Sequence, residues 1–446
     1  MQVEVFVKIL FISLGCDKNL ADSEEMLGIL QSRGYEFTDD EREADIIIVN
    51  SCCFINDAKE ESINTILDMA QCKIHYCCKA LIVTGCLAQR YKDEIYKEIP
   101  EVDAVLGTSS YDAILEAVDG ALKGTKPQVF KDLDRLPDIR TERVVTTGGY
   151  YAHLKIAEGC DKHCTYCIIP KIRGKYRSVP MEQLIRQAEA LAAKGVRELI
   201  LVAQETTVYG KDLYGEKSLH KLLKELCKVD GIMFIRIMYC YPEEIYDELI
   251  QVMKEEKKIC HYIDMPIQHC SDAILKKMGR RTNKQEIVDI VEKLRSEMDD
   301  IVIRTTLITG FPGETQEEFE EMMDFVDQME FDRLGVFTYS PEEGTPAAEF
   351  AHQIDEELKA DRQCELMELQ QDIAFEKSEE KIGREMIAII EGKVADENAY
   401  IGRTYMDAPN IDGYVFINTG EALMTGDFVK VKITGASDYD LIGELI

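Results

Sequence analysis

Apolar runs alternate with amphipathic stretches through the first part of the chain. KILFISLG, ADIIIVN, ALIVTGC and VDAVLG are short and nearly continuous apolar runs, which predict buried strands. Between them, DSEEMLGILQSRG and AKEESINTILDMA have helical spacing, the first capped by Asp22 or Ser23 and closed by Gly34. Strands that alternate with helices predict an α/β fold over residues 1–124, a doubly wound parallel sheet with helices on both faces.

A second alternating region follows a stretch that has no such period. Residues 125–149 mix Pro, Gly and charged side chains and are predicted to be a linker. In residues 150–375 six more apolar runs alternate with amphipathic helices: YAHLKIAEG, ELILVAQ, MFIRIMY, HYIDMPIQ, IVIRTTLITG and RLGVFTYS. These units predict an open (βα) barrel or a large parallel sheet, with an active site at the carboxyl ends of its strands. A charged helix over residues 351–380 is predicted to lead out of it.

The pattern changes again in residues 376–446, where short strands replace helices. EMIAIIEGKV, AYIGRTY, GYVFINTG and DFVKVKITGASDYDLIGELI predict a small all-β domain, an antiparallel barrel or sandwich. Residues 377–446 carry seven basic and thirteen acidic side chains, a net charge of −6. The C-terminal domain is therefore predicted to be both all-β and acidic.

Composition narrows the class of protein. The chain has 446 residues, 46% of them hydrophobic, and only 11 Pro, which excludes a disordered or fibrous protein. Its net charge of −32 opposes nucleic-acid phosphates and favours a basic protein partner. Glu4 and the short apolar run after it predict neither a signal peptide nor a membrane span. We expect a cytoplasmic protein, in which clusters among its 15 Cys more often bind metal than form disulfides.

The sharpest motif is GCDKHCTYC, in which Cys160, Cys164 and Cys167 have the spacing CxxxCxxC. Three thiolates from one loop can bind three irons of a 4Fe-4S cluster and leave the fourth iron open for chemistry. Structural zinc sites normally have four ligands, so His163 would have to complete a zinc site. Chance spacing is the other alternative. The motif follows a predicted strand, which favours the cluster.

A second set of thiols follows successive strands of the first domain. Cys16, Cys52 and Cys86 each stand where a predicted strand ends. Parallel strands of a doubly wound sheet end at one edge, so these thiols can meet in one crevice. A buried Cys is common in protein cores, and that is the alternative. Three in equivalent positions favour a second metal site.

The CxxxCxxC motif, with Tyr166 before its last Cys, resembles that of the radical S-adenosylmethionine superfamily, and the resemblance implies that Tyr166 binds the cofactor. ILVAQETTVYG resembles that family's second strand, and by this resemblance Gln204 and Glu205 lie near the cofactor. LITGFPGET resembles its adenosine-binding strand end, which includes Gly310. The resemblance implies S-adenosylmethionine and a 4Fe-4S cluster as cofactors, with no catalytic residue beyond the cluster ligands.

The segments SLGCDKNLADSE, NSCCFINDAKEES and TGCLAQRY resemble the three ligand segments of the methylthiotransferase family. That family has an auxiliary-cluster domain, a radical S-adenosylmethionine domain and a C-terminal TRAM domain, in the order predicted above. The resemblance implies a transferase with two 4Fe-4S clusters, the auxiliary one bound by Cys16, Cys52 and Cys86. It also implies a reducing electron donor as a partner.

Members of the family modify either tRNA adenosines or an aspartate of small-subunit ribosomal protein S-twelve. SLGCDKNLADSE and GRTYMDAPNIDGYVFI are similar to the second branch, and an acidic C-terminal domain suits a basic protein better than tRNA. The resemblance therefore implies methylthiolation of the β-carbon of that aspartate, with no membrane partner. The alternatives are a tRNA adenosine methylthiotransferase and a non-catalytic iron–sulfur or zinc scaffold.

The sequence departs from that branch at two positions. Asp17 stands where Pro is usual, and Cys53 stands where Gly is usual. Either Cys52 or Cys53 could then be the ligand, and we choose Cys52 because it matches the family position. An extra group in QCKIHYCCK is interpreted as a Cys-rich surface loop without function, with a zinc site as the alternative; it comprises Cys72, His75, Cys77 and Cys78.

Overall fold

The computed structural model describes residues 7–138, 143–395 and 397–446. The opening residues MQVEVF, with the predicted role of Glu4, lie outside the described residues, as do residues 139–142 of the predicted linker. Among the described residues, no helix has the combination of length and apolar character that crossing a bilayer requires.

The N-terminal domain is a parallel sheet with helices on both faces. Its strands are β1 (Lys8–Ser13), β2 (Glu36–Phe37), β3 (Ile46–Ser51), β4 (Ala80–Gly85), β5 (Ala104–Leu106) and β6 (Gln128–Val129). They pair in the order β2-β1-β3-β4-β5-β6, and all neighbours are parallel. The helices are α1 (Asp17–Ser32), α2 (Asn56–His75), α3 (Cys86–Glu98) and α4 (Ile114–Leu122), with a 3-10 turn at Tyr111–Ala113.

Strand β3 shows why both faces are covered. Ile47 and Val49 pack with residues of α2 and α3 in one hydrophobic core, whereas Ile46 and Ile48 pack with residues of α1 and α4 in another. Successive side chains of a strand point to opposite faces, so a continuous apolar run must be buried on both. This confirms the predicted doubly wound sheet.

Two local predictions in this domain were wrong. Helix α1 begins at Asp17, not at a cap formed by Asp22 or Ser23, and both of these residues are buried inside the helix. Ser23 donates to the Ser13 hydroxyl at 2.7 Å, so its polarity marks a buried contact and not a helix start. The predicted linker is also partly structured, because Gln128–Val129 forms the edge strand β6 beside β5.

The central domain contains the second parallel sheet. Its strands are β7 (Tyr151–Lys155), β10 (Glu198–Val202), β11 (Phe234–Ile237), β12 (Ile259–Asp264), β13 (Val302–Thr309) and β14 (Arg333–Thr338), and a short antiparallel pair is formed by β8 (Ala157–Glu158) and β9 (Arg177–Ser178). The six parallel strands lie in chain order, which confirms six (βα) units in an open arrangement. The helices are α5 (Ile169–Arg173), α6 (Met181–Ala193), α7 (Lys211–Tyr214), α8 (Leu219–Leu226), α9 (Asp247–Glu255), α10 (Asp272–Lys277), α11 (Lys284–Glu297), α12 (Gln316–Met329) and α13 (Glu356–Glu379), with 3-10 turns at Pro242–Glu244 and Pro346–Glu349.

Helix α13, the charged helix of the sequence, packs against the edge of this sheet. Gln363 donates to the Val336 carbonyl at 2.6 Å, and Gln370 donates to the Phe331 carbonyl at 2.8 Å. Its long polar side chains therefore satisfy backbone groups of the last (βα) unit.

The C-terminal domain is a closed five-stranded barrel. Its strands are β15 (Glu385–Lys393), β16 (Ala399–Thr404), β17 (Val415–Asn418), β18 (Phe428–Ser437) and β19 (Asp440–Leu445). They pair in the order β15-β16-β17-β19-β18, and the β17–β19 pair is parallel while the others are antiparallel. Of the two predicted forms, the barrel is confirmed, and closure removes the open edges that a sandwich would leave.

Buried charges fix the barrel to the amino end of the central sheet. Glu198, the first residue of β10, accepts hydrogen bonds from Arg236 at 3.0 Å and from Arg403 of the barrel at 2.7 Å. All three side chains are fully buried. Burial alone would raise the pKa of Glu198, but the two guanidinium groups hold it below its ordinary value. The ion group therefore stays charged and ties the two domains together.

We expect Glu198→Ala to lower the free energy of unfolding by about 3–5 kcal/mol, because it leaves two guanidinium groups buried without a counterion. Urea unfolding followed by circular dichroism measures the loss. The control is Glu385→Ala, which breaks a half-exposed pair with Lys430 at 2.5 Å and should change stability little. Equal urea midpoints for the two variants would contradict this role of Glu198.

Candidate functional site

The loop that carries CxxxCxxC leaves the short strand β8 at Gly159, a position that has no room for a side chain. Gly159 has φ +78°, and a Cβ there would overlap the carbonyl oxygen of Lys175. The next residue, Cys160, donates its N–H to the Gly174 carbonyl at 3.2 Å. The close approach of two backbone segments therefore sets the start of the loop.

The remainder of the loop is fixed by a hydrogen bond within the loop and by another to a later segment of the central domain. The Cys167 N–H donates to the Cys164 carbonyl at 3.0 Å, and the Thr165 N–H donates to the Met278 carbonyl at 2.9 Å. Cys160 and Cys164 are each 6% exposed, and Cys167 is partly buried. Burial raises the pKa of the Cys160 thiol to about 11, so metal binding would have to displace its proton.

Charged and polar groups surround this loop at the carboxyl edge of the central sheet. Lys162 contacts Glu244 at 2.6 Å and Glu205 at 3.5 Å. Burial raises the pKa of Glu205 to about 7, against the lowering effect of Lys162. Gln204 donates to Glu158 at 3.0 Å. Both residues predicted to lie near the cofactor, Gln204 and Glu205, therefore stand at the edge that carries the cysteine loop.

Several buried polar atoms at this edge have no hydrogen-bond partner among the described residues. They include Oε1 of Gln204, the hydroxyl of Tyr176, Oε2 of Glu243 and Nε of Arg280. The Tyr176 N–H donates to Asp161 at 3.1 Å, which places it beside the cysteine loop. Unsatisfied buried polar atoms are costly, and a polar ligand at this edge would satisfy them.

The other two predicted cofactor residues lie in or beside a small hydrophobic cluster. Tyr166 is partly buried and packs against that cluster, which includes Met278 and Phe311. Gly310, which precedes Phe311, has φ +70°, and a Cβ there would overlap the Lys359 side chain of α13. The packing of Lys359 thus explains the glycine, independently of any bound adenosine.

The second thiol set lies at the carboxyl edge of the N-terminal sheet. Cys16 follows β1 and caps helix α1, Cys52 follows β3, and Cys86 opens helix α3 directly after β4. Gly15 has φ +87°, and a Cβ there would come within 2.7 Å of Cys52 Sγ. Cys16 is exposed, while Cys52 and Cys86 are buried. The three thiols therefore meet at one edge, as parallel strands dictate.

Cys53 is fully buried in a hydrophobic core that also contains Cys86. It packs in the hydrophobic core with Ile66, Leu87 and Ala88. Burial raises the pKa of Cys52 to about 12, and its neighbours Cys86 and Cys16 add to the shift. The geometry favours Cys52 over Cys53 as the residue grouped with Cys16 and Cys86.

The extra thiols of QCKIHYCCK are dispersed, and the interpretation as a surface loop was wrong. Cys72 is a buried residue in the last turn of α2. Cys78 is buried and its Sγ donates to the Ala80 carbonyl at 3.3 Å, whereas the exposed Cys77 donates to the Arg42 carbonyl at 3.1 Å. His75 is exposed at the helix end.

The carboxyl edges of the two sheets face each other across buried contacts. The ammonium of Lys18 in α1 lies 3.3 Å from the ring centre of Tyr239, which follows β11. Lys155, at the end of β7, pairs with Asp22 of α1. Arg173, at the end of α5, donates to Asp22 at 2.8 Å. Because α5 follows Cys167 almost at once, these contacts bring the two thiol sets to one interface.

The donor chemistry of both sets suits an iron–sulfur cluster better than a single ion. Among the described residues, no three His, Cys, Asp or Glu side chains converge closely enough to bind one metal ion. A four-iron cluster is larger, and each of its protein thiolates binds a different iron. His163 is exposed on a left-handed backbone, φ +53°. Each set supplies three thiols, which are the donors that such a cluster uses.

Family models match all three domains of the chain. Residues 8–107 match "Uncharacterized protein family UPF0004", residues 154–326 match the radical SAM superfamily, and residues 382–446 match the TRAM domain. The matches have the domain order that the methylthiotransferase resemblance implied.

Curated relatives resemble the chain over almost its whole length. It is 64% identical to the ribosomal protein uS12 methylthiotransferase RimO of Lachnoclostridium phytofermentans, over 98% of this chain and 99% of the relative. The identity to the protein of the same name from Acetivibrio thermocellus is 52%, over 98% of both chains. The chain belongs to the RimO family.

Solved structures of lower identity share the fold of this RimO-family chain. The cobalamin-binding radical S-adenosylmethionine methyltransferase TsrM from Kitasatospora setae superposes with a TM-score of 0.55 at 14% identity, over 77% of both chains. The cobalamin-dependent radical enzyme OxsB superposes with a TM-score of 0.53 at 13% identity, over 82% of this chain and 56% of that one. At such identities the likeness shows the fold alone.

The buried charged residues between the two thiol sets of this RimO-family chain were not predicted from the sequence. They are Asp22, Lys155, Glu158 and Arg173 beside the N-terminal set, and Arg280 near Cys164. Arg280 lies over the ring of Tyr241 at 4.2 Å. One signal was available: IPKIRG and GRRT place cations next to the motifs that were identified.

We expect Gly159→Ala to disturb the cysteine loop more than a matched glycine elsewhere. Gly34→Ala is the control, because Gly34 has φ +90° but an added Cβ there would have no described neighbouring atom within 4 Å. Both variants place Ala in a left-handed backbone conformation, which costs about 1–2 kcal/mol of stability. Only Gly159→Ala adds an overlap with backbone, so its thermal midpoint and its iron content after reconstitution should fall further. Equal losses would show that the approach of Lys175 is not limiting.

Proposed function

We propose that this chain transfers a methylthio group to the β-carbon of an aspartate in ribosomal protein uS12. The observation that supports this is the meeting of two three-thiol sets at facing sheet edges, in a chain of the RimO family. A reaction that takes a hydrogen from one carbon and adds sulfur to it needs both sites within reach of one substrate residue. A cytoplasmic location follows from a ribosomal substrate.

In this proposal Cys160, Cys164 and Cys167 bind one 4Fe-4S cluster, and Cys16, Cys52 and Cys86 bind a second. When bound, the first cluster supplies the electron that cleaves S-adenosylmethionine and so provides the radical chemistry that an unactivated C–H bond requires. The electron comes from a reducing partner protein or cofactor.

In this proposal the side chains around the cysteine loop bind and orient S-adenosylmethionine and shield the site from water. Gln204 Oε1 and the Tyr176 hydroxyl are the unsatisfied polar atoms that we assign to S-adenosylmethionine contacts. Lys162 holds Glu205 and Glu244 beside the loop. Tyr166 packs against a hydrophobic cluster, and we assign to these apolar side chains the exclusion of water from that side of the cysteine loop. Exclusion of water protects a carbon radical from side reactions.

The charge distribution supports a basic protein substrate. The chain carries a net charge of −32. The C-terminal domain shares this charge, because residues 377–446 carry seven basic and thirteen acidic side chains. Tight binding of tRNA would need an excess of exposed cations that neutralise its phosphates. We therefore propose uS12 and not tRNA as the partner.

The direct test is the mass of the uS12 target-loop peptide from cells with and without this gene. We expect the methylthio mass to be lost on deletion and to return with the gene. The control is the hypermodified adenosine fraction of tRNA from the same cells, which should not change. A change in tRNA with unchanged uS12 would transfer the proposal to the tRNA branch.

Cysteine variants separate the two proposed clusters. We expect Cys164→Ala to abolish 5′-deoxyadenosine formation, because the first cluster loses a ligand. Cys52→Ala should retain cleavage of S-adenosylmethionine, lose uS12 methylthiolation and lose about half of the reconstituted iron. Liquid chromatography with mass spectrometry and an iron assay measure all three.

The matched control for the second variant is Cys53→Ala, one residue along in the hydrophobic core. It should retain cleavage, methylthiolation and iron. If Cys53→Ala fails while Cys52→Ala modifies uS12, the assignment of Cys52 is wrong. Iron without any cleavage of S-adenosylmethionine by the unmodified protein under reducing conditions would favour a non-catalytic scaffold.

A further inference from the structure

One buried guanidinium joins the central domain to the thiols of the N-terminal domain. Nη1 of Arg173 donates to Asp22 at 2.8 Å and to Glu158 at 3.0 Å. Nη2 donates to Asn19 Oδ1 at 2.5 Å and reaches Cys86 Sγ at 3.5 Å. The side chain is 2% exposed. One planar group thus contacts two carboxylates, an amide and a thiol.

The two carboxylates do not account for this geometry. Lys155 also pairs with Asp22 and, at 2.9 Å, with Glu158, so each carboxylate already has a second cation. Burial alone would raise the pKa of Glu158, but Arg173 and Lys155 hold it well below its ordinary value. A lysine at position 173 could complete the same charge balance. Only a guanidinium has a second nitrogen that points past the carboxylates to Asn19 and Cys86.

We propose that Arg173 is a positioning residue for the N-terminal thiol site, where it donates an N–H hydrogen bond to the Cys86 sulfur when that sulfur binds iron. The inference rests on the proposed role of Cys86 as a cluster ligand. Asn19 holds the same Nη2 and itself donates to the Leu14 and Ser51 carbonyls at 2.9 and 3.0 Å. The guanidinium is therefore oriented from both domains.

The hydrogen bond has two physical consequences. A cationic N–H donor withdraws electron density from a thiolate and raises the reduction potential of the cluster that the thiolate binds. The donor also belongs to helix α5, whose start at Ile169 is two residues beyond Cys167. Helix α5 thus links the loop of one thiol set directly to a thiol of the other.

The test compares two charge-conserving variants, each made in a full-length chain that carries Cys160→Ala, Cys164→Ala and Cys167→Ala so that only the N-terminal cluster is present. Arg173→Lys keeps the cation and its carboxylates but removes the donor to Cys86. Arg177→Lys is the matched control, because Arg177 is also buried and donates to the Arg173 carbonyl at 3.0 Å, and within the described part of the chain it has no hydrogen bond to a thiol.

We expect the reduction potential of the N-terminal cluster, measured by an electron paramagnetic resonance titration, to fall in Arg173→Lys and to stay near the parent value in Arg177→Lys. Loss of cluster iron in Arg173→Lys alone, with the fold retained by circular dichroism, also supports the proposal. Equal potentials in both variants and the parent would overturn it. These readouts need no uS12, so they fail independently of the methylthiolation assay.

A second measurement covers the case in which Arg173→Lys does not fold. The parent chain is grown on nitrogen-15 arginine, its N-terminal cluster is reduced, and hyperfine spectroscopy is recorded. We expect a weak nitrogen-15 coupling, which a hydrogen bond from guanidinium to a ligating sulfur transmits. A spectrum without that coupling overturns the proposal, and so does a parent chain that binds no iron.

Discussion

The relation between the two thiol sets depends on one buried ion group, in which Asp22 and Glu158 share the cations Lys155 and Arg173. Moving such charges out of water is expensive, and their mutual attraction offsets that cost only when every member has its partners in place. Asp22 belongs to the N-terminal domain and the other three to the central domain. Separation of the domains would leave Asp22 without either cation and would leave Lys155 and Arg173 with Glu158 as their shared carboxylate. The ion group therefore favours a single fixed arrangement of the facing sheet edges.

A second ion group at the other end of the central sheet performs a different task. Glu198 and the guanidinium groups of Arg236 and Arg403 fix the barrel at the amino end of the strands. The carboxyl ends stay free for the thiol loop and its surroundings. This division follows from the parallel sheet, because all amino ends lie on one side and all carboxyl ends on the other. The barrel therefore does not compete with the thiol loop and the N-terminal domain for the same edge.

The sheets and the thiols could be predicted because each depends on local pattern. An apolar run such as that of β3 predicts a buried strand, and parallel strands bring Cys16 and Cys86 to the same edge. The ion group could not be predicted in this way. Asp22 and Arg173 are 151 residues apart in the chain, and nothing in either neighbourhood identifies the other. Asp22 and Ser23 were mistaken for helix caps because the residue types that cap helices are the same types that make buried polar contacts.

The alternation of side chains along β3 also bears on the choice between Cys52 and Cys53. In β3 the odd-numbered Ile47 and Val49 face the core beneath α2 and α3, and Cys53 packs in that same core. The even-numbered residues face the other side, and Cys52 continues their alternation to reach Gly15. Since successive side chains of an extended segment alternate, the adjacent Cys52 and Cys53 face different neighbours. Cys53 shares its core with Cys86, whereas Cys52 lies against Gly15, next to Cys16, and this contact is the observation that favours Cys52 as the third member of the set.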